Sequence, residues 1–325
     1  MRPRLVMVFA IVAIVLGGVL MVPAAYARFS GGGSAKATGT SPAASPKAAP
    51  TIPPTVVEPP RPTLAPGPVA ANVDGYFSWA FLDRSTGKIS GSKNLTATNS
   101  TESMIKIWIV SDFLRRTAQA GHEPTKTQLS LASTAIRDSN DNSAEALFNA
   151  GGRAPVISRM IKTCLLTDTR AVVPPGSRTV WWSYTRISAL DAVRLGECVK
   201  DGRAAGKKWT GWVLSEMTKV RGTAAAKDQH ATTGGGRWGI IDGLPPEIIK
   251  ASPVSIKNGW TPINADGLWH INCLAITDDW VLAVETRYPI SQGLGYGAKV
   301  CASVATQLVT PKVGAALKLP APDAG

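Results

Sequence analysis

A serine and a lysine stand three residues apart at the start of an apolar stretch, in Ser103-Met104-Ile105-Lys106. On a helix this spacing places the serine hydroxyl and the lysine amine on one face. A hydroxyl is a weak nucleophile until a base takes its proton, and a lysine removed from water in a cleft can be neutral enough to act as that base. The pattern therefore predicts acyl transfer through Ser103. A single S-x-x-K also arises by chance, as a helix-capping serine followed by a surface lysine.

Two further polar stretches follow in the same order along the chain. They are Asp138-Ser139-Asn140-Asp141-Asn142 and Ser255-Ile256-Lys257-Asn258-Gly259-Trp260. Together with the first pattern they resemble the S-x-x-K, S-D-N and K-T-G motifs of the serine β-lactamase and penicillin-binding-protein superfamily, nearest to the class A β-lactamases. The segments FSWAFLDRSTGK, IIDGLP and ETRYP also resemble that family's first hairpin, the residues before K-T-G and the last strand. The resemblance covers roughly residues 75–310.

The resemblance implies catalytic roles for the residues of these motifs. Ser103 would attack an acyl carbon and form an acyl-enzyme, and Lys106 would help to remove its proton. The serine of the S-D-N motif would pass a proton to the leaving nitrogen. Lys257 would supply positive charge for a substrate carboxylate.

The resemblance also implies substrate contacts for the residues that follow Lys257. Asn258 stands where the family has Thr or Ser, and its amide would bind substrate. Gly259 would let substrate lie against the strand, because a side chain there would block the approach. The backbone N–H groups of Ser103 and Trp260 would form the oxyanion hole.

Two alignments of the S-D-N motif are open. In one, Ser139 is the motif's serine. A shift of one residue places Asn140 there instead, and an amide cannot relay a proton as a hydroxyl can. Under the shifted alignment, Asn142 would be the amide that contacts the substrate and the lysine.

Class A β-lactamases carry a glutamate, in a loop after S-D-N, that activates the water releasing the acyl group. Between Cys164 and Ser188 the only acidic residue is Asp168, and nothing there matches that glutamate. We therefore expect a shortened loop and slow deacylation. The resemblance implies a β-lactam or a peptidoglycan stem peptide as substrate. The alternative is a catalytically inactive member of the superfamily that binds a wall peptide or a protein partner.

The elements around the motifs combine strands near both ends of the region with helices between them. Strand patterns cover 76–82, 254–256, 268–277 and 280–286, and helix patterns cover 103–119, 127–137, 143–149, 154–163, 187–201, 209–220 and 297–309. They predict an α/β (α+β) sandwich whose sheet uses both chain ends. The resemblance implies its three-layer β-lactamase/transpeptidase form, an antiparallel sheet flanked by helices.

The N-terminal residues indicate export. Two arginines precede an unbroken apolar run, Leu5–Ala25, and a small-x-small site stands before Arg28. We expect residues 1–27 to be a signal peptide or an N-terminal membrane anchor, and the protein to be secreted or anchored outside the cytoplasm. Residues 28–72 are predicted to be a Pro/Ala/Ser-rich disordered linker. The hydrolase-like domain is predicted at 73–310 and a flexible tail at 311–325.

Charge and cysteine content narrow the partners. The formal charge is +13, and export argues against nucleic acid, which leaves an anionic wall polymer or a membrane surface. Four cysteines in an exported chain suggest disulfides. Three pairings are open, and we favour neighbours in sequence, Cys164 with Cys198 and Cys273 with Cys301. The histidines show no metal-ligand spacing, so we expect no metal and no cofactor, and we expect a monomer.

Overall fold

A computed structural model of the protein describes residues 69–312 and 315–318. The predicted export segment, almost all of the predicted linker and most of the predicted tail lie outside these described residues. Across 69–312 and 315–318, no helix combines the length and apolar character that crossing a bilayer requires.

The described fold combines helices with an antiparallel sheet, as predicted. The strands are β1 Tyr76–Asp83, β2 Ile89–Gly91, β3 Thr98–Ser100, β4 Arg186–Ser188, β5 Ser255–Ile256, β6 Gly259–Ile263, β7 Leu268–Ile276, β8 Trp280–Pro289, β9 Thr310–Lys312 and β10 Ala315–Lys318. The α-helices are α1 Lys106–Gln119, α2 Lys126–Arg137, α3 Asp141–Ala150, α4 Ala154–Cys164, α5 Ala189–Lys200, α6 Gly206–Met217, α7 Ile240–Gly243, α8 Pro246–Ala251 and α9 Gly293–Leu308. Short 3-10 turns occupy Glu102–Ile105, Trp182–Tyr184, Ala226–Asp228 and Ile290–Gln292.

The main sheet runs β2-β1-β8-β7-β5, and β6 also pairs with β7. The first strand pairs with β8 along its whole length, from Tyr76 opposite Arg287 to Asp83 opposite Trp280. Two smaller antiparallel pairs, β3 with β4 and β9 with β10, lie outside this sheet. The sheet therefore joins the beginning and the end of the described chain, as the sequence predicted.

Helices cover both faces of the sheet. Side chains of a strand point alternately to its two faces. On β7, Cys273 points to α9, where it forms a disulfide with Cys301. The next residue, Leu274, points to α5, because a Cβ added to Gly196 of that helix would lie 3.3 Å from its side chain. The three-layer arrangement follows from this alternation.

Both predicted disulfides are present. Cys164 bonds to Cys198 and joins α4 to α5, and Cys273 bonds to Cys301. All four cysteines are buried. The pairing of sequence neighbours is confirmed.

The structure departs from the predicted elements around the motifs. The helix predicted from Ser103 begins as a 3-10 turn and becomes α-helical only at Lys106. The helix predicted from 187 starts at Ala189, because the residues before it form β4. The sequence patterns did not predict β6, α7 or α8.

Candidate active site

Ser103 lies in the 3-10 turn that leads into α1, and its side chain is half-buried. The turn is anchored from the other side of the cleft, where Thr101 donates a backbone hydrogen bond to Thr185 O at 2.8 Å and its hydroxyl donates to Trp182 O at 3.0 Å. The β6 strand presses against the turn, because a Cβ on Gly259 would come within 2.9 Å of Ser103 N. Only glycine allows this approach.

Ser139 precedes α3 and places its hydroxyl between two lysines. Ser139 Oγ lies 2.9 Å from Lys257 Nζ and 3.4 Å from Lys106 Nζ. Its backbone is in the left-handed region, with φ of 52°. The Asn140 side chain caps α3 by accepting a hydrogen bond from Ser143 N at 2.8 Å. Ser139 therefore occupies the position between the two lysines, whereas Asn140 caps the helix.

Lys106 is fully buried and its ammonium is already engaged. It donates to Ser139 O and to Asp141 Oδ1, both at 2.5 Å. The ring of Trp182 lies over it, 4.9 Å from Nζ to the ring centroid. Within the described residues, no hydrogen bond joins the Ser103 hydroxyl to Lys106, although the sequence predicted that pair. The expected contact of Asn142 with the lysine is made instead by Asp141.

Burial shifts the pKa of three groups at the site. It lowers the pKa of Lys106 to about 8, while the charge of Asp141 acts in the opposite direction. Burial also lowers the pKa of Lys257 well below its ordinary value, and repulsion from Lys106 adds to this. The pKa of Glu102 is raised by burial to about 7. All three groups therefore have their charged forms destabilised.

Of the remaining residues of the K-T-G-like stretch, Asn258 makes hydrogen bonds inside the protein and Trp260 lines the cleft. Asn258 is buried, and its amide donates to Gly236 O at 2.9 Å and Trp238 O at 2.7 Å. Its side chain is therefore engaged in the protein interior and does not line the cleft. Trp260 does line the cleft, and its indole donates to Gln229 Oε1 at 2.9 Å.

The cleft has a volume of about 1100 Å³ and contains Ser103, Ser139 and Asn142. Four of the chain's tryptophans line it, namely Trp181, Trp182, Trp260 and Trp269. Its carboxyl groups come from Glu102, Asp141 and Glu145. The cleft therefore offers aromatic walls and acidic groups around the serine and lysine side chains.

The loop between Cys164 and Ser188 places two indoles, those of Trp181 and Trp182, and no acid in the cleft. Trp182 Nε1 donates to Glu145 Oε2 at 3.0 Å, and the other oxygen of Glu145 pairs with Arg153. Asp168, the loop's only acid, hydrogen-bonds to Thr167 and Ser188 and does not line the cleft.

No protein-family model and no curated protein matches the sequence. Solved structures do match. A β-lactamase from Desulfarculus baarsii is 14% identical, with 72% of this chain and 90% of that chain covered and a TM-score of 0.53. An ancestral class A β-lactamase is 15% identical, with 71% of this chain and 92% of that chain covered and a TM-score of 0.54. L2 complexed with relebactam is 14% identical, with 71% of this chain and 89% of that chain covered and a TM-score of 0.55.

The chain has the class A β-lactamase fold. Within this β-lactamase fold, three site features were not predicted from the sequence. The contact of Asp141 with Lys106 was not predicted, because it depends on which residue of the S-D-N-like motif begins α3. Glu102 is adjacent to Ser103 and carried no spacing signal, and Glu145 meets Trp182 only through the packing of α3 against a distant loop.

Proposed function

We propose that the protein is an exported serine hydrolase that forms an acyl-enzyme on Ser103 with a β-lactam or a peptidoglycan stem peptide. The observation that carries the proposal is the Ser139 hydroxyl, which lies between the amines of Lys257 and Lys106 in the cleft that contains Ser103. A hydroxyl hydrogen-bonded to amines is suited to giving a proton to a leaving nitrogen. Both substrate classes carry their acyl group on nitrogen.

In the proposed reaction, Ser103 Oγ bonds to the acyl carbon while its proton passes to Lys106. The carbonyl oxygen becomes an oxyanion, which accepts hydrogen bonds from the backbone N–H groups of Ser103 and Trp260. The C–N bond then breaks, the nitrogen takes the proton of Ser139, and Ser139 regains a proton from Lys106, whose Nζ lies 3.4 Å from Ser139 Oγ. The lowered pKa of Lys106, about 8, supports the first step because part of this amine is neutral near pH 7.

Slow deacylation is part of the proposal. Release of the acyl group requires a water molecule and a base beside the ester. Trp182 is nearly buried and lies over Lys106, with its indole bound to Glu145. We infer that this indole keeps a Glu145-activated water from the ester, and that the adduct is therefore long-lived.

Export is supported by the two disulfides, which persist in oxidising compartments. The apolar run and small-x-small site of residues 1–27 point the same way. An extracytoplasmic location would bring the cleft to wall peptides and to β-lactams alike.

A non-catalytic binding role is the second candidate, favoured by one observation. Lys106 is in an ion pair with Asp141, and no hydrogen bond between it and the Ser103 hydroxyl occurs in the described part of the chain. If that ion pair persists with substrate bound, Lys106 stays protonated and Ser103 remains unactivated. The cleft would then hold a wall peptide without reacting with it.

Mass spectrometry after incubation with penicillin G distinguishes the acyl-enzyme proposal from the non-catalytic binding role. We expect the wild-type protein to gain the mass of one penicillin, and the Ser103→Ala variant to gain nothing. The gain should persist for hours if deacylation is slow. A folded wild-type protein with neither an adduct nor drug hydrolysis would favour the binding role.

A further inference from the structure

Glu102, the residue before the proposed nucleophile, is a buried carboxyl in an unfavourable backbone conformation. It is 2% exposed and its φ is 46°, in the left-handed region. Non-glycine residues in this region carry strain that surrounding contacts must offset. One of its oxygens, Oε1, is buried without a hydrogen-bond partner among the described residues. An ionised carboxylate so placed would be costly.

The contacts of Thr261 on β6 indicate which group holds the proton. Thr261 Oγ1 lies 2.7 Å from Glu102 Oε2 and 2.6 Å from Trp260 O. A threonine hydroxyl has one hydrogen and can donate to only one of these oxygens. A carbonyl oxygen can never donate. Both contacts are hydrogen bonds only if Thr261 donates to Trp260 O and Glu102, protonated, donates to Thr261.

The second hydroxyl beside this carboxyl, that of Ser100 on β3, has its hydrogen engaged as well. Ser100 Oγ lies 2.7 Å from His270 Nδ1, and His270 Nε2 lies 2.8 Å from Asp266 Oδ2. Burial lowers the pKa of His270, which favours the neutral ring. The neutral ring donates from Nε2 to Asp266 and accepts at Nδ1, which takes the hydrogen of Ser100.

We propose that Glu102 is held as a neutral carboxylic acid whose hydroxyl donates to Thr261, and that this bond positions the turn of Ser103 against β6. It is a positioning residue, since it acts through the turn and the strand and not on substrate. The chain of donors runs from Glu102 to Thr261 to the carbonyl of Trp260, the residue whose N–H would serve the oxyanion. Only the effect on acylation rests on the proposed function.

Charged groups from three elements face this carboxyl. Arg186 of β4 favours its ionised form, and Asp141 at the start of α3 opposes ionisation. Lys106 of α1 also interacts with it. Burial outweighs these charges and raises the pKa of Glu102 to about 7. The donor chain is therefore complete in acid and is lost as the pH rises through neutrality.

Loss of the proton would change the partners at this point. The carboxylate could not donate to Thr261, which would have to give its single hydrogen either to Glu102 or to Trp260 O. Arg186 Nη1 is buried and also without a partner among the described residues, and it is the cation that would attract the carboxylate. Ionisation would thus pull Glu102 from β6 toward β4.

Thermal unfolding of the full chain between pH 5 and pH 8 gives the first test. The folded protein holds a proton at Glu102 that the unfolded chain, with its ordinary pKa of 4.5, releases. Wild-type stability should therefore fall as pH rises across this range. Glu102→Gln has an amide that donates without ionising, so it should lack the pH-dependent stability that the Glu102 proton supplies. The Tm of this variant, measured relative to that of the wild type, should therefore increase as pH rises. Parallel curves for the two proteins would overturn the proposal.

Glu247→Gln is the matched control, because Glu247 is an exposed glutamate on α8. It makes the same chemical change away from the site. Its Tm should differ from that of the wild type by a constant amount across the pH range.

Infrared spectroscopy distinguishes the direction of the Thr261 bond. A protonated carboxyl band that is absent in Glu102→Gln should titrate near neutral pH in the wild type. Thr261→Val removes an acceptor for the acid form, so it should move the midpoint to lower pH. If Thr261 instead donates to a carboxylate, the same variant raises the midpoint, and the proposal fails.

Acylation by a fluorescent penicillin separates this proposal from the proposed function. The rate of Glu102→Gln relative to wild type should rise above pH 7, by up to about tenfold at pH 8, as the wild type loses the acid form. An equal pH dependence in both proteins would show that Glu102 does not position the turn. If neither protein is acylated, the proposed function fails, and the unfolding and infrared tests still decide the state of Glu102.

Discussion

The ion pair between Lys106 and Asp141 controls the protonation of the amine that would activate Ser103. Burial destabilises the ammonium, and the carboxylate 2.5 Å away stabilises it. Asp141 is partly exposed to the cleft, whereas Lys106 is fully buried. A substrate that displaces or screens Asp141 would therefore release the lysine for proton transfer. On the proposed function, the charge of Asp141 would decide whether Lys106 can activate Ser103.

Asp141→Asn should make acylation of Ser103 faster near pH 7. Removing the carboxylate lowers the pKa of Lys106 below about 8 and increases its neutral fraction. A decrease of one pKa unit would raise that fraction about tenfold below the midpoint. The measurement is the pH profile of acylation by a fluorescent penicillin, in which the rate rises with pH as Lys106 loses its proton, and the midpoint of this rise should move to lower pH.

Asp138→Asn is the control for this change, because Asp138 pairs with Arg221 and not with Lys106. Its profile should match that of the wild type. A slower Asp141→Asn with an unmoved midpoint would mean that Lys106 is not the base.

At the scale of elements, the loop that ends in the Trp182–Tyr184 turn places an indole beside Lys106. The sequence analysis found no acid there to match the family's glutamate, but it did not predict that Trp182 would lie over Lys106 and donate a hydrogen bond to Glu145. That arrangement depends on contacts between α3 and a segment more than thirty residues later. Residue spacing indicates which side chains share a face within one element, and it does not predict contacts between elements that are distant in sequence.

Trp182→Ala should shorten the lifetime of the penicillin adduct, because water gains access between Glu145 and Ser103. Trp182→Phe keeps a ring over Lys106 and should retain the long lifetime. The double variant Trp182→Ala/Glu145→Gln should restore slow release if Glu145 is the base. Adduct mass followed over time measures all three, and an unchanged lifetime in Trp182→Ala would contradict the covering role.

The order of motifs, the mixed architecture and the strand at each end followed from the sequence because each rests on local periodicity or on resemblance. The β6 strand did not, since Pro262 interrupts its pattern. Proline is tolerated there because β6 pairs with β7 alone among the described strands. The choice between Ser139 and Asn140 also required the structure, as both are polar and only the start of α3 separates them.

At the scale of the whole molecule, the two disulfides connect elements that the sheet leaves separate. Cys164–Cys198 joins two helices, and Cys273–Cys301 fixes α9 to the sheet. They close segments of similar length, with sequence separations of 34 and 28. Neither cysteine pair lines the cleft.

Replacing Cys273 and Cys301 together by alanine should lower the free energy of unfolding by about 3–4 kcal/mol, the loop-closure entropy for a segment of this length. Urea unfolding at pH 7 under non-reducing conditions measures the loss. The Cys164→Ala/Cys198→Ala pair serves as the comparison and should lose a similar amount. Stability equal to that of the wild type would show that the bond restricts the unfolded chain little.

The chain enters the described fold beside the end of α9. The backbone of Ala70 donates to and accepts from the side chain of Gln307, close to the end of α9. A force on the chain ahead of residue 70 would therefore act on the two Ala70–Gln307 hydrogen bonds and, along the backbone, on β1. For a protein tethered at its N-terminal side, tension would thus be shared between β1 and α9, the helix that the Cys273–Cys301 bond holds to the sheet.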